Sequence, residues 1–146
     1  YNGECTMIRA FEKHDIDSVM KLWLDTNISA HSFIKSDYWQ NNFDIVKRII
    51  PDATVFIYEQ NGTVQGFIGI MDGYIAGIFI CEEMQSKGIG KQLLDYAKNK
   101  YDELFLNVYK KNHRAVRFYE RENFSITAER IDENTGEVEY TMHWRK

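Results

Sequence analysis

A glycine-rich turn, Gln85-Ser86-Lys87-Gly88-Ile89-Gly90-Lys91, joins an apolar run from Tyr74 to Cys81 to the helically spaced segment Leu93-Leu94-Asp95-Tyr96-Ala97. The next apolar stretch, Glu103 to Tyr109, reads as another strand. Two strands separated by a helix form a parallel pair with a crossover connection, which restricts the chain to folds containing one. The turn is also suited to an anion. The first N–H groups of a helix lack internal partners, and the helix dipole favours negative charge there. Lys87 and Lys91 add positive charge beside those amides.

Spacing separates three phosphate-binding patterns. A Walker-type loop needs glycine five residues before its Gly-Lys pair and Ser or Thr after it, but positions 85 and 92 are both Gln. The dinucleotide fingerprint needs a third glycine where Leu93 stands. What remains is Gln-x-x-Gly-x-Gly, with a ligand-free strand-to-helix turn as the plain alternative. The downstream segment decides between them. It runs Asn107-Val108-Tyr109, then Asn112-His113-Arg114-Ala115-Val116-Arg117-Phe118-Tyr119-Glu120, and closes on Asn123-Phe124.

The two segments, in this order and about twenty residues apart, resemble the paired signatures of the GNAT N-acetyltransferases. The family commonly closes the second signature with Gly-Phe. Asn123 replaces that glycine, and Asn tolerates the left-handed conformation a helix C-terminus needs.

The rest of the pattern agrees. Met7 to Phe11 reads as a strand, and Ile16, Val19, Met20, Trp23 and Ile28 mark an amphipathic helix over roughly 14–30. Ser36 is the expected N-cap of a second helix carrying Trp39, Phe43, Val46 and Ile50, which Pro51-Asp52 ends. Thr54–Glu59 and Thr63–Met71 flank the hairpin signal Asn61-Gly62, and Asp72-Gly73 turns into Tyr74–Cys81. Helices are expected over Gly88–Tyr101 and Asn112–Glu122. In the tail, Phe124, Ile126 and Ala128 alternate, Asn134-Thr135-Gly136 turns, and Val138, Tyr140, Met142 and Trp144 alternate again. The expectation is one α/β (α+β) domain over 7–146 with the GNAT fold. Its sheet is mixed, mostly antiparallel and six- to seven-stranded, with a central splayed parallel pair and about four flanking helices. Residues 1–6, ahead of Met7, are expected to be an extension outside that domain.

The resemblance implies acetyl-CoA as cosubstrate, with its pantetheine arm pairing to main chain near Phe79 and Ile80. Its diphosphate would lie on the amides of Gln85, Ser86, Lys87, Gly88, Ile89, Gly90 and Lys91. Gly88 and Gly90, lacking Cβ atoms, would allow close approach. Asn112, Ala115, Phe118 and Tyr119 would complete the site. A bulge in the Tyr74–Cys81 strand would aim the amide of Phe79 or Ile80 at the thioester oxygen. Tyr119 matches the family's phenolic acid, able to protonate the departing thiolate; a core aromatic is the plain alternative. The incoming amine must shed a proton, since a free lysine has pKa ~10.4. His31 is a candidate base or acceptor contact, with a hydrogen-bonded structural histidine as its alternative. Relatives often place a glutamate where this chain has Asn107, so a water-mediated route is expected instead. Phe33, Tyr38, Asn107 and Tyr109 would border the acceptor channel, although core packing also accounts for such aromatics.

Composition bounds the remainder. With 146 residues, 44% hydrophobic and 27% charged, the chain suits a single globular core. A net charge of −4 argues against nucleic-acid binding. No apolar stretch approaches the ~20 residues that span a bilayer. Cys5 and Cys81 make neither a disulfide framework nor a metal site, and His14, His31, His113 and His143 lack metal-ligand spacing. Cys81 beside the turn suggests a nucleophile less than a buried, inert thiol. The expectation is a cytoplasmic, metal-free enzyme, monomeric or homodimeric, that acetylates a primary amine, a protein lysine or N-terminus, and is similar to small bacterial GNATs thought to acetylate protein lysines. The alternatives are an enzyme for small metabolite or antibiotic amines, and a non-catalytic acyl-CoA-binding module.

Overall fold

The computed structural model describes residues 5–146, so the expectation for residues 1–4 lies outside the described residues. Apolar residues at both parities along the inner strands dictate a sheet covered on two faces. On β2 (Thr54–Gln60), Val55 and Ile57 face α1 (Ile16–Ala30) and α2 (Ser36–Ile49). Phe56 and Tyr58 face the opposite way, toward α3 (Ile89–Lys98). β3 (Thr63–Met71) repeats the division, with Phe67 in the first cluster and Ile68 and Ile70 in the second. Leu93 and Leu94 of α3 are fully buried, and truncating either to Ala would cost ~2–5 kcal/mol.

The remaining elements are β1 (Thr6–Ala10), β4 (Tyr74–Ile80), β5 (Glu103–Tyr109), α4 (His113–Arg121), β6 (Ser125–Ile131) and β7 (Val138–Arg145). They complete a seven-stranded sheet of order β1-β2-β3-β4-β5-β7-β6. Among the described residues only β4 and β5 run parallel, and their register holds two pairs, Tyr74↔Phe105 and Ile75↔Leu106, before they separate. The expected mixed sheet with a splayed pair is what the chain forms.

Local chemistry explains the turns. Asn61 and Gly62 take φ of 50° and 80°, and Asp72 and Gly73 take 52° and 82°, as tight hairpins require. Asn123 has φ 72° and supplies the left-handed turn between α4 and Phe124.

Several boundaries differ from the sequence expectation. β1 begins at Thr6, and Cys5 exchanges hydrogen bonds with Asn61, so the ordered fold starts ahead of Met7. Ser36 is the first residue of α2 rather than its cap; Lys35 holds that place with no side-chain cap bond. Cys81 lies beyond β4 and leads into a short 3-10 turn, Glu82–Met84. α3 stops at Lys98, short of Tyr101. The alternation in β6 does not mark a buried face. The strand is the sheet edge and every residue is exposed, with Ile131 at 64%.

Candidate active site

The site begins where β4 and β5 part. On β4, Gly77 pairs with Gly69 and Ile75 with Ile70, which leaves Ala76 as a bulge. Beyond it, the Cys81 amide donates to the Gln65 carbonyl at 2.9 Å, and Phe79 lies opposite Phe67. By the two-residue alternation of a strand, Phe79 turns its peptide groups toward β3 while Ile78 and Ile80 turn theirs toward the gap. Of the two expected amide donors, Ile80 therefore faces the opening and Phe79 does not. The Phe79 ring instead stacks on Phe67 at 4.7 Å.

The turn after β4 sits at the mouth of this gap. Gly88, at φ 82°, is the N-cap of α3 and provides no side-chain cap. The amides of Ile89, Gly90 and Lys91 thus lack helical acceptors. A Cβ added to Gly88 would meet nothing within 4 Å, so its open side is free for a ligand. Gly90 differs from expectation. Its missing Cβ faces the Phe118 ring at 3.5 Å and belongs to the packing of α3 on α4. The Ile89 side chain is buried in the core, leaving only its backbone for the turn.

The charges are also arranged differently. Lys91 is committed to Glu122 at 3.0 Å and Asp95 at 3.2 Å, which raise its pKa in that order. Arg114, on the first turn of α4, reaches across instead. It donates to Gln85 Oε1 and Ser86 Oγ, both at 2.8 Å. Gln85 in turn donates to the Ile80 carbonyl at 3.0 Å, and Ser86 takes φ 64°. Arg114 thus pins the turn from outside while its charge remains exposed beside Lys87. Sequence reasoning missed it; the only available signal was a cation two residues after Asn112.

Asn112 caps α4, its Oδ1 accepting from the Ala115 amide at 3.3 Å, while its Nδ2 lies 3.3 Å from His31 Nε2. Seven residues along α4, Tyr119 is buried and packs on Phe118 and Phe124. Burial, then the neighbouring Tyr74 phenol, pushes its pKa upward, so it stays protonated. Tyr74, whose phenol influences it, lies on β4 in the first of the two rungs paired with β5.

Both ring nitrogens of His31 have hydrogen-bond partners. Its Nδ1 lies 3.0 Å from the Asn27 carbonyl, its Nε2 meets Asn112, and its ring stacks on Trp39 at 5.1 Å. Burial holds its pKa below the ordinary histidine range. These contacts suit the hydrogen-bonded structural histidine that was the alternative. Phe33 and Tyr109 pack edge-on against it, and the Tyr109 hydroxyl donates to Asp132 at 2.6 Å. Burial, and then that carboxylate, raise the Tyr109 pKa. Tyr38 is raised by burial and by the nearby charges of Asp132 and Glu139. Asn107 sits 2.8 Å from Thr141 Oγ1; in the amide orientation that satisfies both its atoms, its oxygen accepts from Arg130 at 3.2 Å.

The structure adds one carboxylate the sequence did not single out. Glu139 is only 7% exposed, lies opposite Tyr109 on β7, and accepts from Arg130 Nε at 2.7 Å. A single acid on the polar parity of a tail strand reads as solvated. It lies on β7 beside Arg130 of β6, its cross-strand partner. Cys81 is half-buried, lies 2.9 Å from Gln65 Oε1, and has a pKa raised mainly by burial, as befits an inert thiol. Among the described residues, no three or more His, Cys, Asp or Glu side chains are grouped to hold a metal ion, and no helix is long and apolar enough to cross a membrane.

Residues 16–124 match the sequence profile of the Acetyltransferase (GNAT) family, well over half the chain. The chain belongs to this family. Among relatives of this GNAT chain is the peptidyl-lysine N-acetyltransferase YiaC of Escherichia coli K12, 31% identical over 140 residues, covering 94% of this chain and 96% of the relative. Among solved structures, apo-form YjaB from Escherichia coli superposes with a TM-score of 0.84 at 21% identity, covering 96% of this chain and 97% of that one. The PaiA N-acetyltransferase of Thermoplasma acidophilum, in complex with coenzyme A, superposes with a TM-score of 0.78 at 18% identity, covering 97% and 99%. The GNAT chain is an N-acetyltransferase, and its reaction moves an acetyl group from acetyl-CoA to a primary amine.

Proposed function

We propose that this GNAT enzyme acetylates lysine side chains of proteins in the cytoplasm. The observation that carries the reading is the gap between β4 and β5. Parallel pairing stops after two rungs, and the outward peptide groups of Ile78 and Ile80 lie along the opening. An extended pantetheine arm fits this edge as an added strand. The unpartnered amides at the start of α3, the open side of Gly88 and the Arg114 guanidinium suit the diphosphate at its mouth. Bound there, acetyl-CoA supplies an acetyl group activated as a thioester.

The chain's own residues then have distinct tasks. The Ile80 amide is the donor available to a developing oxyanion. Tyr119, protonated at every physiological pH, delivers a proton to the departing sulfur. Asn107 has no basic atom, so the amine's proton leaves through water toward the acidic side of the cleft. On that side Phe33, Tyr38 and Tyr109 form an aromatic wall with Asp132 and Glu139 behind it. A lysine packs its aliphatic stem on such rings and turns its ammonium toward carboxylates. The likeness to YiaC supports a lysine acceptor further. Cys5 and Cys81, both free thiols, suit a reducing compartment.

The test is a thiol-release assay with acetyl-CoA against lysine peptides, lysine-free peptides with open N-termini, and polyamines. Product mass spectrometry then locates the acetyl group. Turnover confined to lysine side chains bears the proposal out. Turnover confined to polyamines, or acetylation only at α-amines, overturns it.

A further inference from the structure

We propose that His31 is a positioning residue, whose neutral imidazole clamps the corner between α1 and α2 to the N-cap of α4 through Asn112. The orientation follows from what each atom can do. Asn112 Oδ1 accepts from the Ala115 amide, so the group it offers His31 is its Nδ2–H. His31 Nε2 must then be the acceptor, and Nδ1 carries the proton that goes to the Asn27 carbonyl at 3.0 Å. That carbonyl is well anchored. Asn27 is buried on the last turns of α1, and its own Nδ2 donates to the Trp23 carbonyl at 2.9 Å. Trp39 and Phe33 enclose the ring from α2 and the corner, at 5.1 and 5.7 Å. One imidazole thus joins two parts of the chain that are 81 residues apart. On one side is the corner bearing Phe33 and Tyr38; on the other is the helix bearing Arg114 and Tyr119.

The clamp exists only while His31 is neutral. An imidazolium has no lone pair for the Asn112 N–H, and both groups would then present protons to each other. The titratable groups around the ring offer no relief. Tyr109 from β5 and Tyr38 from α2 both have raised pKa values and remain uncharged. Lys111 lies 5.7 Å from the Phe33 ring and is itself paired to Glu137. Burial dominates and no carboxylate contributes to the imidazole's protonation. Because the folded pKa lies below the unfolded value of ~6.5, the unfolded chain takes up the proton first. Stability from the clamp is therefore complete above that value and declines as pH falls through the folded pKa.

The experiment is imidazole nitrogen NMR on the intact, ligand-free 15N-labelled chain, which needs no assumption about turnover. The expected result is a neutral Nδ1–H tautomer with a midpoint below ~6.5. Asn112→Asp keeps the oxygen that caps α4 but sets a carboxylate against Nε2, which moves the midpoint above ~6.5. An Nε2–H tautomer, or a midpoint that Asn112→Asp leaves in place, overturns the proposal. The effect on turnover rests on the reading of Tyr119 as the acid. His31→Leu should lower kcat about 10-fold with the acetyl-CoA Kd within about twofold, and His31→Gln, which retains an acceptor near Nε2, should recover part of the loss. Equal losses in the Leu and Gln variants count against the clamp. A wild-type chain that turns over no amine refutes the proposed function, while the NMR arm still decides the clamp.

Discussion

Replacing Tyr119 with Phe separates chemistry from packing unusually well. The ring lies in the core against Phe118 and Phe124, and Phe reproduces that contact. The influences on its hydroxyl are burial and Tyr74, with no hydrogen bond among them. Nor is the hydroxyl sealed away; among the described residues the sealed side-chain polar atom without a partner is Trp39 Nε1. Deleting this hydroxyl strands no protein donor or acceptor, so stability should change by less than ~1 kcal/mol. That corresponds to at most about 2–4 °C in Tm for a chain of this size. Loss of the acid should lower kcat by ~10²-fold, or ~2.7 kcal/mol of transition-state stabilisation. Initial rates of thiol release at saturating acceptor, a thermal melt and calorimetric acetyl-CoA binding measure the three quantities on one preparation. A kcat within about twofold of wild type, with Tm and Kd unchanged, would refute the acid assignment. A fall in Tm matching the fall in rate would show that the phenol acts through structure.

Three other substitutions probe the supports of the site. Arg114→Ala should weaken acetyl-CoA binding about 5- to 10-fold by calorimetry, the scale of a charge-assisted contact, with Tm nearly unchanged because the guanidinium is exposed. Gly88→Ala, at φ 82°, should cost ~1–2 kcal/mol by chemical denaturation, whereas Gly90→Ala, whose Cβ would make ordinary contacts, should be near neutral. Asp15, buried at 2% exposure, pairs with Arg9 at 2.8 Å, and that hydrogen bond is the main cause of its lowered pKa. Its stabilisation is complete above pH ~4 and lost as pH falls through the depressed folded value. Asp15→Ala, after which Arg9 still pairs with Glu59 at 3.0 Å, should cost ~1–3 kcal/mol in a denaturation series at neutral pH.

The β4–α3–β5 unit was readable because its information is local. Apolar runs, a glycine turn and helical spacing each report on neighbours in the chain, and Asn123 could be matched to a left-handed turn on its own chemistry. The family resemblance rested on the same short segments. The charged partners were not readable. Lys91 adds charge beside the turn in sequence, but its ammonium pairs with Glu122, 31 residues away, and Arg114 reaches back 29 residues to Gln85. Pairings of this kind depend on how α3 and α4 pack, which no local pattern encodes. The same reason concealed the bond between His31 and Asn112. It also concealed Glu139, whose partner Arg130 lies on the neighbouring strand β6. The choice between Phe79 and Ile80 required the register to β3, a tertiary fact carried by one hydrogen bond at Cys81.

Among the described residues, the two pairs that join β4 to β5 are the only ladder between two panels, one running from β1 to β4 and the other from β5 to β6. A seam stitched at a single corner resists shear poorly, and helices above and below must carry the load. A coenzyme bound as proposed, along Ile78 and Ile80, would supply the stitches the polypeptide omits. In the proposed binding mode, occupancy of the gap and mechanical integrity of the sheet would rise together, and the coenzyme would serve for a time as part of the scaffold.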